Sequence, residues 1–560
     1  MPSSISSDDS KHAEPVTKNT TAHQEFSKQA DAGLALSEDR VVVTEADVSP
    51  RFSPAKCVLS ATAGRLAWPT LLIFTDNACL LAPQSRRICR RTDIHVLLFL
   101  AWVYFLQISD KSIIGLSAVF GLKKDAGLVG NQYSNIGNIG YYAQLAMQPL
   151  AAYILVKVQV RQFVPLIIFI WGVSLAGMAA STNYRALLAT RFLLGAFEAA
   201  VLPAFAMITS AWYRRSEQPL RVATWYSMNG TATMVGSAIV YGIGHVKSSS
   251  LFTYQIVFLL YALVTVVTAP ILYWRMDNNP MEARFLTPED RQKAVERLRA
   301  NQTGIASSEF KFSQVIELFT QPSTWIFLAC SFCINVGASV SNVFGPLILQ
   351  QLVGFTAYES MLLNIPFGAI QLLVILLSSW LAYRFKLKSV ILAAFMVPVI
   401  IGVALLYAVP HTKANRSALL LGYYLIAFVF AANPLLVTWI SANTGGQTKK
   451  SAVFTAYNAA SSIGNIAGPF IFKSKDAPHY YPGLKGTLAI FCILIGLIGL
   501  QAANLAWLNR KKAAQRVANG QAGQINDTSM AAKFEQVDHG LENAFLDMTD
   551  KENPDFVYVL

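Results

Sequence analysis

Two pairs of opposite charges lie inside stretches that are otherwise apolar. They are Asp110–Lys111 in LLFLAWVYFLQISDKSIIGLSAVFG, and Arg191 with Glu198 in RALLATRFLLGAFEAAVLPAFAMITSAW. A charge at the bilayer centre costs about 2.5–3.5 kcal/mol on insertion scales, so such residues normally face a cavity and serve a function there. The chemistry open to them is proton exchange by the two carboxyls and anion binding by the ammonium and the guanidinium. Asp110 and Lys111 stand roughly 24 Å along a helix from Ile94, and neighbouring positions point about 100° apart, so the two need not pair with each other. Arg191 and Glu198 return to one face after two turns, about 10 Å apart along the axis. Gly195 between them lets another helix come close. Burial and a nearby Arg act on a Glu in opposite directions, a balance suited to a group that loads and releases a proton. Blander arrangements stay open: the first span could end at Ser109 and leave its pair at the interface, and Arg191 and Glu198 could simply brace a neighbouring helix.

The elements that must hold these residues are membrane helices. The chain has 560 residues, 54% hydrophobic and 14% charged, with a mean hydropathy of +0.41. Soluble domains carry roughly 25% charged residues, so the composition is that of a polytopic membrane protein. The net charge of +13 does not indicate nucleic-acid binding, because much of the basic excess sits in short segments between apolar runs. No phosphate-binding Gly loop, nucleophile elbow or HExxH pattern is present, which argues against an enzyme, and no cofactor or metal is expected. Cys330 and Cys333 have CxxC spacing but lie among Phe, Ile and Ala in a span, so buried structural thiols are expected.

Apolar runs of spanning length fall at 94–118, 132–155, 162–181, 184–212, 220–245 and 254–275, then at 323–346, 358–383, 388–409, 416–442, 450–472 and 484–508. They are numbered spans one to twelve below. The expectation is an all-α polytopic membrane protein with twelve helices in two pseudo-symmetric six-helix bundles, 91–275 and 323–508. The polar stretch 276–322 between them contains MEARFLTPEDRQKAVERLRANQ. Thr287 ahead of Pro288-Glu289-Asp290 is a helix-start signature, and Val295 and Leu298 share a face, so a cytoplasmic amphipathic helix is expected here. Two nearly equal halves are what duplication of a six-helix unit produces. Arg221-Val-Ala-Thr-Trp225 with Asn229 lines up ungapped with Lys450-Ser-Ala-Val-Phe454 with Asn458 at corresponding places in the halves.

The segment 1–90 is expected to be a disordered cytoplasmic tail, being polar and Ser/Thr-rich over most of its length, and 509–560 a second one. Leu66–Ala82, short and broken by Pro69, Asp76 and Asn77, is expected to be interfacial or unstructured. No cleavable signal peptide is visible, so the first span would act as the insertion signal. Arg86, Arg87, Arg90 and Arg91 before span one and Arg510–Lys512 after span twelve favour both tails inside.

Polar residues elsewhere in the spans are further candidates for the cavity. They are Tyr133, Asn138, Tyr141 and Gln144 in span two, Asn229 in span five, Asn335, Ser339 and Asn342 in span seven, and Asn364 and Gln371 in span eight. Asn433, Asn458 and Asn465 follow in spans ten and eleven. Each could equally bond helix to helix.

Three separated segments now carry a resemblance: RFLLGAFEAAVLPA, ISDKSIIGLSAVFGLKKDAGLVGNQYS and ANTGGQTKKSAVFTAYNAASSIGNIAGPFIFKSKDAPHYYPG. Together they resemble the major facilitator superfamily, more narrowly its anion:cation symporter family in the fungal allantoate permease branch, over about 86–510. The resemblance implies proton-coupling roles for Asp110 and Glu198, and organic-anion binding at Lys111 and Arg191. The chain departs from the family pattern in two places. Lys111 stands where an Arg is usual, and the Gly-x3-Asp-Arg-x-Gly-Arg loop between spans two and three is reduced to VKVQVRQF.

The expected function is secondary active transport: proton-coupled symport of a small organic anion, a carboxylate such as a ureide or vitamin acid, by alternating access of two bundles. The partners are that anion, protons and the bilayer, with a monomer in a multi-pass setting, the plasma membrane. The same fold run as an exporter or antiporter, and a non-transporting nutrient sensor, are the alternatives.

Overall fold

The computed structural model describes residues 83–119, 122–129, 132–243, 251–299, 301, 309–347, 357–471, 480–520, 523 and 547–560. Leu66–Ala82, the rest of 1–82 and the side chain of Asn342 lie outside the described residues. All twelve expected spans fall on helices, and no strand occurs among the described residues. Among the described residues, nine helices are long and apolar enough to cross a membrane by length and composition. The other three are spans two (Gln132–Lys157), five (Gln218–Tyr226 with Met228–Ile243) and eleven (Gln447–Ile471). These three pack against the opposite half as well as their own, so they carry Asn, Gln, Ser and Gly where a lipid-facing helix carries Leu and Ile.

Within the first half, span one packs on span five, span three on span six and span two on span four. The second half repeats the pattern: seven on eleven, nine on twelve, eight on ten. Between halves, five lies on eight and two on eleven, again a symmetric pair. Helices that meet across lipid have little hydrophobic drive, and small residues let their backbones touch. Gly230 and Gly368 meet where five crosses eight, backbone on backbone; a Cβ at Gly368 would sit 2.7 Å from the Gly230 carbonyl oxygen. Gly402 and Gly422 do the same for nine and ten.

Three expectations need correction. Residues 83–90, placed in the disordered tail, belong to the helix Pro83–Thr92, whose Ile88 and Cys89 are buried. In the central loop the helix Pro288–Arg299 forms as expected, but it buries Ala294 and Arg297 while Val295 and Leu298 stay partly exposed; Arg297 turns inward because it pairs with Glu217 at 2.6 Å. A second short helix, Phe312–Thr320, leads into span seven. The expected disorder of 509–560 fails at both ends. The last helix runs on to Ala518, and 547–560 is docked, with Phe556, Tyr558 and Val559 buried.

Candidate functional site: a charge cluster between spans one and four

Asp110, Arg191 and Glu198 are all buried among helices, and Lys111 keeps 27% of its side chain exposed. The two basic and two acidic groups belong to one cluster. Lys111 Nζ lies 2.8 Å from Glu198 Oε1, joining span one to span four at ion-pair distance though off hydrogen-bond geometry. Asp110 and Lys111 therefore do not pair with each other. Neither carboxylate oxygen of Asp110 reaches a hydrogen-bond partner, and Glu198, Arg191 and Lys111 make up its charged surroundings. Arg191 and Glu198 share a helix, but Arg191 leans on span two: a Cβ added at Gly140 would stand 3.3 Å from its Nε. Gly195 makes the expected close approach. It abuts the backbone of Gly140, whose Cα would lie 2.7 Å from an added Cβ. Two guanidinium nitrogens of Arg191, Nε and Nη1, have no hydrogen-bond partner. A buried polar group is normally satisfied. The unfilled donors and acceptors of this cluster are free to bond a ligand or water.

The helix gives way just after Glu198. Span four consists of Tyr184–Glu198 and Val201–Trp212 with a turn between them. Pro203 lacks the N–H that would bond the Ala199 carbonyl one turn back. That oxygen instead accepts Asn458 Nδ2 from the other half at 2.9 Å and Gln148 Nε2 at 3.4 Å. Asn458 thus ties the two halves together at the level of the charge cluster.

The remaining candidates divide. Asn335 donates to Asn433 at 3.4 Å, and Asn433 accepts the Tyr457 hydroxyl at 2.7 Å, so spans seven, ten and eleven share a polar chain. Tyr457 also comes within 3.5 Å of Tyr226 across the halves. Asn229 lies beside the Tyr104 hydroxyl. Gln144 accepts Ser462 at 3.5 Å, and Gln371 accepts Thr233 at 3.3 Å, both between halves. Asn138 and Tyr141 are half-buried, and Tyr133 donates to the Ile114 carbonyl at 3.4 Å. Asn364 takes the Tyr423 hydroxyl at 2.8 Å and is an interhelical tie between spans eight and ten, as Ser339 is through the Asn465 carbonyl. Sequence reasoning missed Tyr104, Tyr226, Tyr457 and the buried Trp171, whose indole lies beside Asp110. Their signal was a Tyr or Trp in a span rich in other aromatics, too common to stand out. Cys330 and Cys333 are free and buried.

The loops on the central-loop face hold a second set of buried charges. Arg221 grips Asp93 through two nitrogens, at 3.0 and 3.2 Å, bringing the start of span five to the start of span one. Lys449 reaches Glu317 at 2.8 Å and Asp550 at 2.6 Å, which brings the start of span eleven to the helix ahead of span seven. The ungapped alignment pairs Arg221 with Lys450, yet its neighbour Lys449 performs the matching contact. Glu217 is held below the ordinary Glu range: burial alone would raise it, but Arg297, Arg221 and Arg214 outweigh burial.

A model of the Major Facilitator Superfamily matches residues 100–469. An uncharacterised transporter of Schizosaccharomyces pombe is 30% identical over 490 residues, covering 87% of this chain and 90% of that protein. The allantoate permease of Saccharomyces cerevisiae is 28% identical over 491 residues, 85% of this chain and 87% of that one. Among solved structures, the E. coli fucose:proton symporter superposes with a TM-score of 0.55 at 14% identity, over 72% of this chain and 98% of its own, a likeness of fold. With the twelve expected spans on described helices in two matching halves, this chain is a multi-pass membrane transporter, not an enzyme, and it belongs to the Major Facilitator Superfamily.

Proposed function

We propose that this protein is a proton-coupled symporter of a small organic anion in the plasma membrane. The observation that carries the reading is the Lys111–Glu198 contact of 2.8 Å beside the unpartnered Asp110 carboxylate and the unfilled donors of Arg191. Protonation of Glu198 ends its hold on Lys111, and the freed ammonium with Arg191 then presents two positive groups to a carboxylate. Loading of anion and proton together leaves the cluster compensated, which is the condition for the halves to exchange faces. After release of the anion, Glu198 gives up its proton and recaptures Lys111. The polar chain of Asn335, Asn433 and Tyr457 would meet the uncharged part of the substrate from the second half. The allantoate permease among the relatives fits an anionic substrate of this size.

The test is uptake of a panel of radiolabelled carboxylates at two external pH values. Glu198→Gln should abolish pH-driven accumulation while leaving exchange of internal for external substrate intact. Undiminished uphill uptake by that variant would overturn the reading.

A further inference from the structure

The described segment 547–560, DMTDKENPDFVYVL, is held on the central-loop face by many hydrogen bonds. Val559 accepts Trp439 Nε1 and Asn443 Nδ2 at 2.9 Å each and donates to Asn443 Oδ1 at 2.7 Å. Tyr558 exchanges two 2.8 Å bonds with Asn509, and the Leu560 carbonyl accepts Lys388 N at 2.9 Å. The Lys512 ammonium holds the carbonyls of Lys551 and Asn553. All these partners belong to the second half.

Its two leading carboxylates do something more specific. Asp547 accepts Gln447 N at 2.7 Å and pairs with Lys311 at 3.1 Å. Asp550 accepts Gly445 N at 3.3 Å and pairs with Lys449 at 2.6 Å. Both therefore sit on the amide-rich start of span eleven, where a helix favours negative charge. Gly445 is needed there, since a Cβ would come 2.7 Å from Asp550 N. Across the divide stand Arg214 and Arg215 of the first half, as fully buried as Lys449 and Lys450. Arg215 lies 4.6 Å above the Phe556 ring. The loop between spans two and three, VKVQVRQF, brings no carboxylate to this face. The halves also touch directly: Ser441 donates to Gln218 at 2.8 Å and Ser451 to the Ala152 carbonyl at 2.8 Å.

We propose that residues 547–560 form a docked gate of the transport cycle. Asp547 and Asp550 add to Glu217 and Glu317 the negative charge that lets two basic loops close against each other, and Phe556 completes the seam by seating Arg215. Asp550 and Phe556 act as positioning residues: they set how readily the central-loop face opens, not what the transporter binds. The proposal rests on transport by alternating access, not on the proton or the anion.

The experiment uses the full-length chain in inside-out vesicles, with Ser441→Cys as a reporter buried in the seam and a membrane-impermeant maleimide as the probe. No substrate is needed, so the outcome is separate from that of the symport reading. Asp550→Asn, Phe556→Ala and removal of 547–560 should each label about ten-fold faster than the reporter alone, as a shift of that size in the open population requires. A synthetic peptide of residues 547–560 added to the truncated form should slow labelling again. A merely structural role would lower the melting temperature and leave the labelling rate unchanged. Equal rates in parent and Asp550→Asn, which changes no volume, overturn the proposal even if the truncated form fails to fold.

Discussion

The two halves share a scaffold but not a chemistry. In the first half the cluster is charged: Asp110, Arg191 and Glu198 are buried and Lys111 is partly exposed. In the second half the corresponding depth holds Asn335, Asn433, Tyr457 and Asn458, all neutral. The halves repeat one packing pattern, but at this level the first carries charged groups and the second neutral polar ones. The symport proposed above uses both, since a proton must alter something and the substrate must find something unaltered.

The sharpest break of this contrast is a pair of single changes, one in each half. Arg191→Gln leaves a buried acidic cluster short of a positive group and should cost about 2–5 kcal/mol, about thirty-fold to several thousand-fold in kcat/KM. Asn433→Ala removes two neutral bonds, the one from Asn335 long at 3.4 Å, together worth about 1–2 kcal/mol, so about five- to thirty-fold, mainly in KM. Comparable losses in initial uptake rates from the two variants would show that the halves do not divide the labour.

A second contrast is in packing. Gly195→Ala drives a methyl into the Gly140 carbonyl, whereas at Gly422 the added carbon would stand 3.0 Å from the Gly402 oxygen. Overpacking costs about 1–3 kcal/mol. Thermal unfolding in detergent should put Gly195→Ala at the upper end of that span and Gly422→Ala at the lower, and the reverse order would refute the account of the span two–four crossing.

The smallest effect is at the central-loop face. Glu217, lowered by its three arginines, clamps the central helix onto the first half through Arg297. Because its folded value lies below the unfolded one, its stabilisation is complete at neutral pH and is lost as pH falls through that lowered value. Glu217→Gln should therefore lower the melting temperature at pH 7, by about 1–2 kcal/mol of stability, and the difference should vanish in acid. The second-half counterpart, Lys449, has two carboxylate partners and should tolerate loss of either one better.

Much of this was legible in the sequence, for reasons that follow from the bilayer. Long apolar runs have few alternatives to a spanning helix, and four charges within them stand out against the background. The Gly195 approach was legible too, since a small residue flanked by charges in a span has few other uses. What stayed hidden depended on long-range pairing. Nothing local says that Lys111 chooses Glu198 over Asp110, or that Arg191 settles on Gly140. Pro203 was visible, but that its absent N–H frees a carbonyl for Asn458 needs the neighbouring helices in place. The segment 547–560 looked like any polar tail, because FVYVL is too short to register as apolar and its partners lie on three different helices.

One feature of the fold sets the mechanics of any exchange between faces. At Gly230 and Gly368 the main chains of the two halves touch with no side chain between them, so one helix can swivel on the other but has no compressible layer along which to slide. Such a contact is a fulcrum. A swivel of about 10° there would displace helix ends about 18 Å away by about 3 Å, enough to part Ser441 from Gln218 while the fulcrum itself stays shut. The opposite joint, where Ser462 meets Gln144, is cushioned by side chains and can take up the remaining strain.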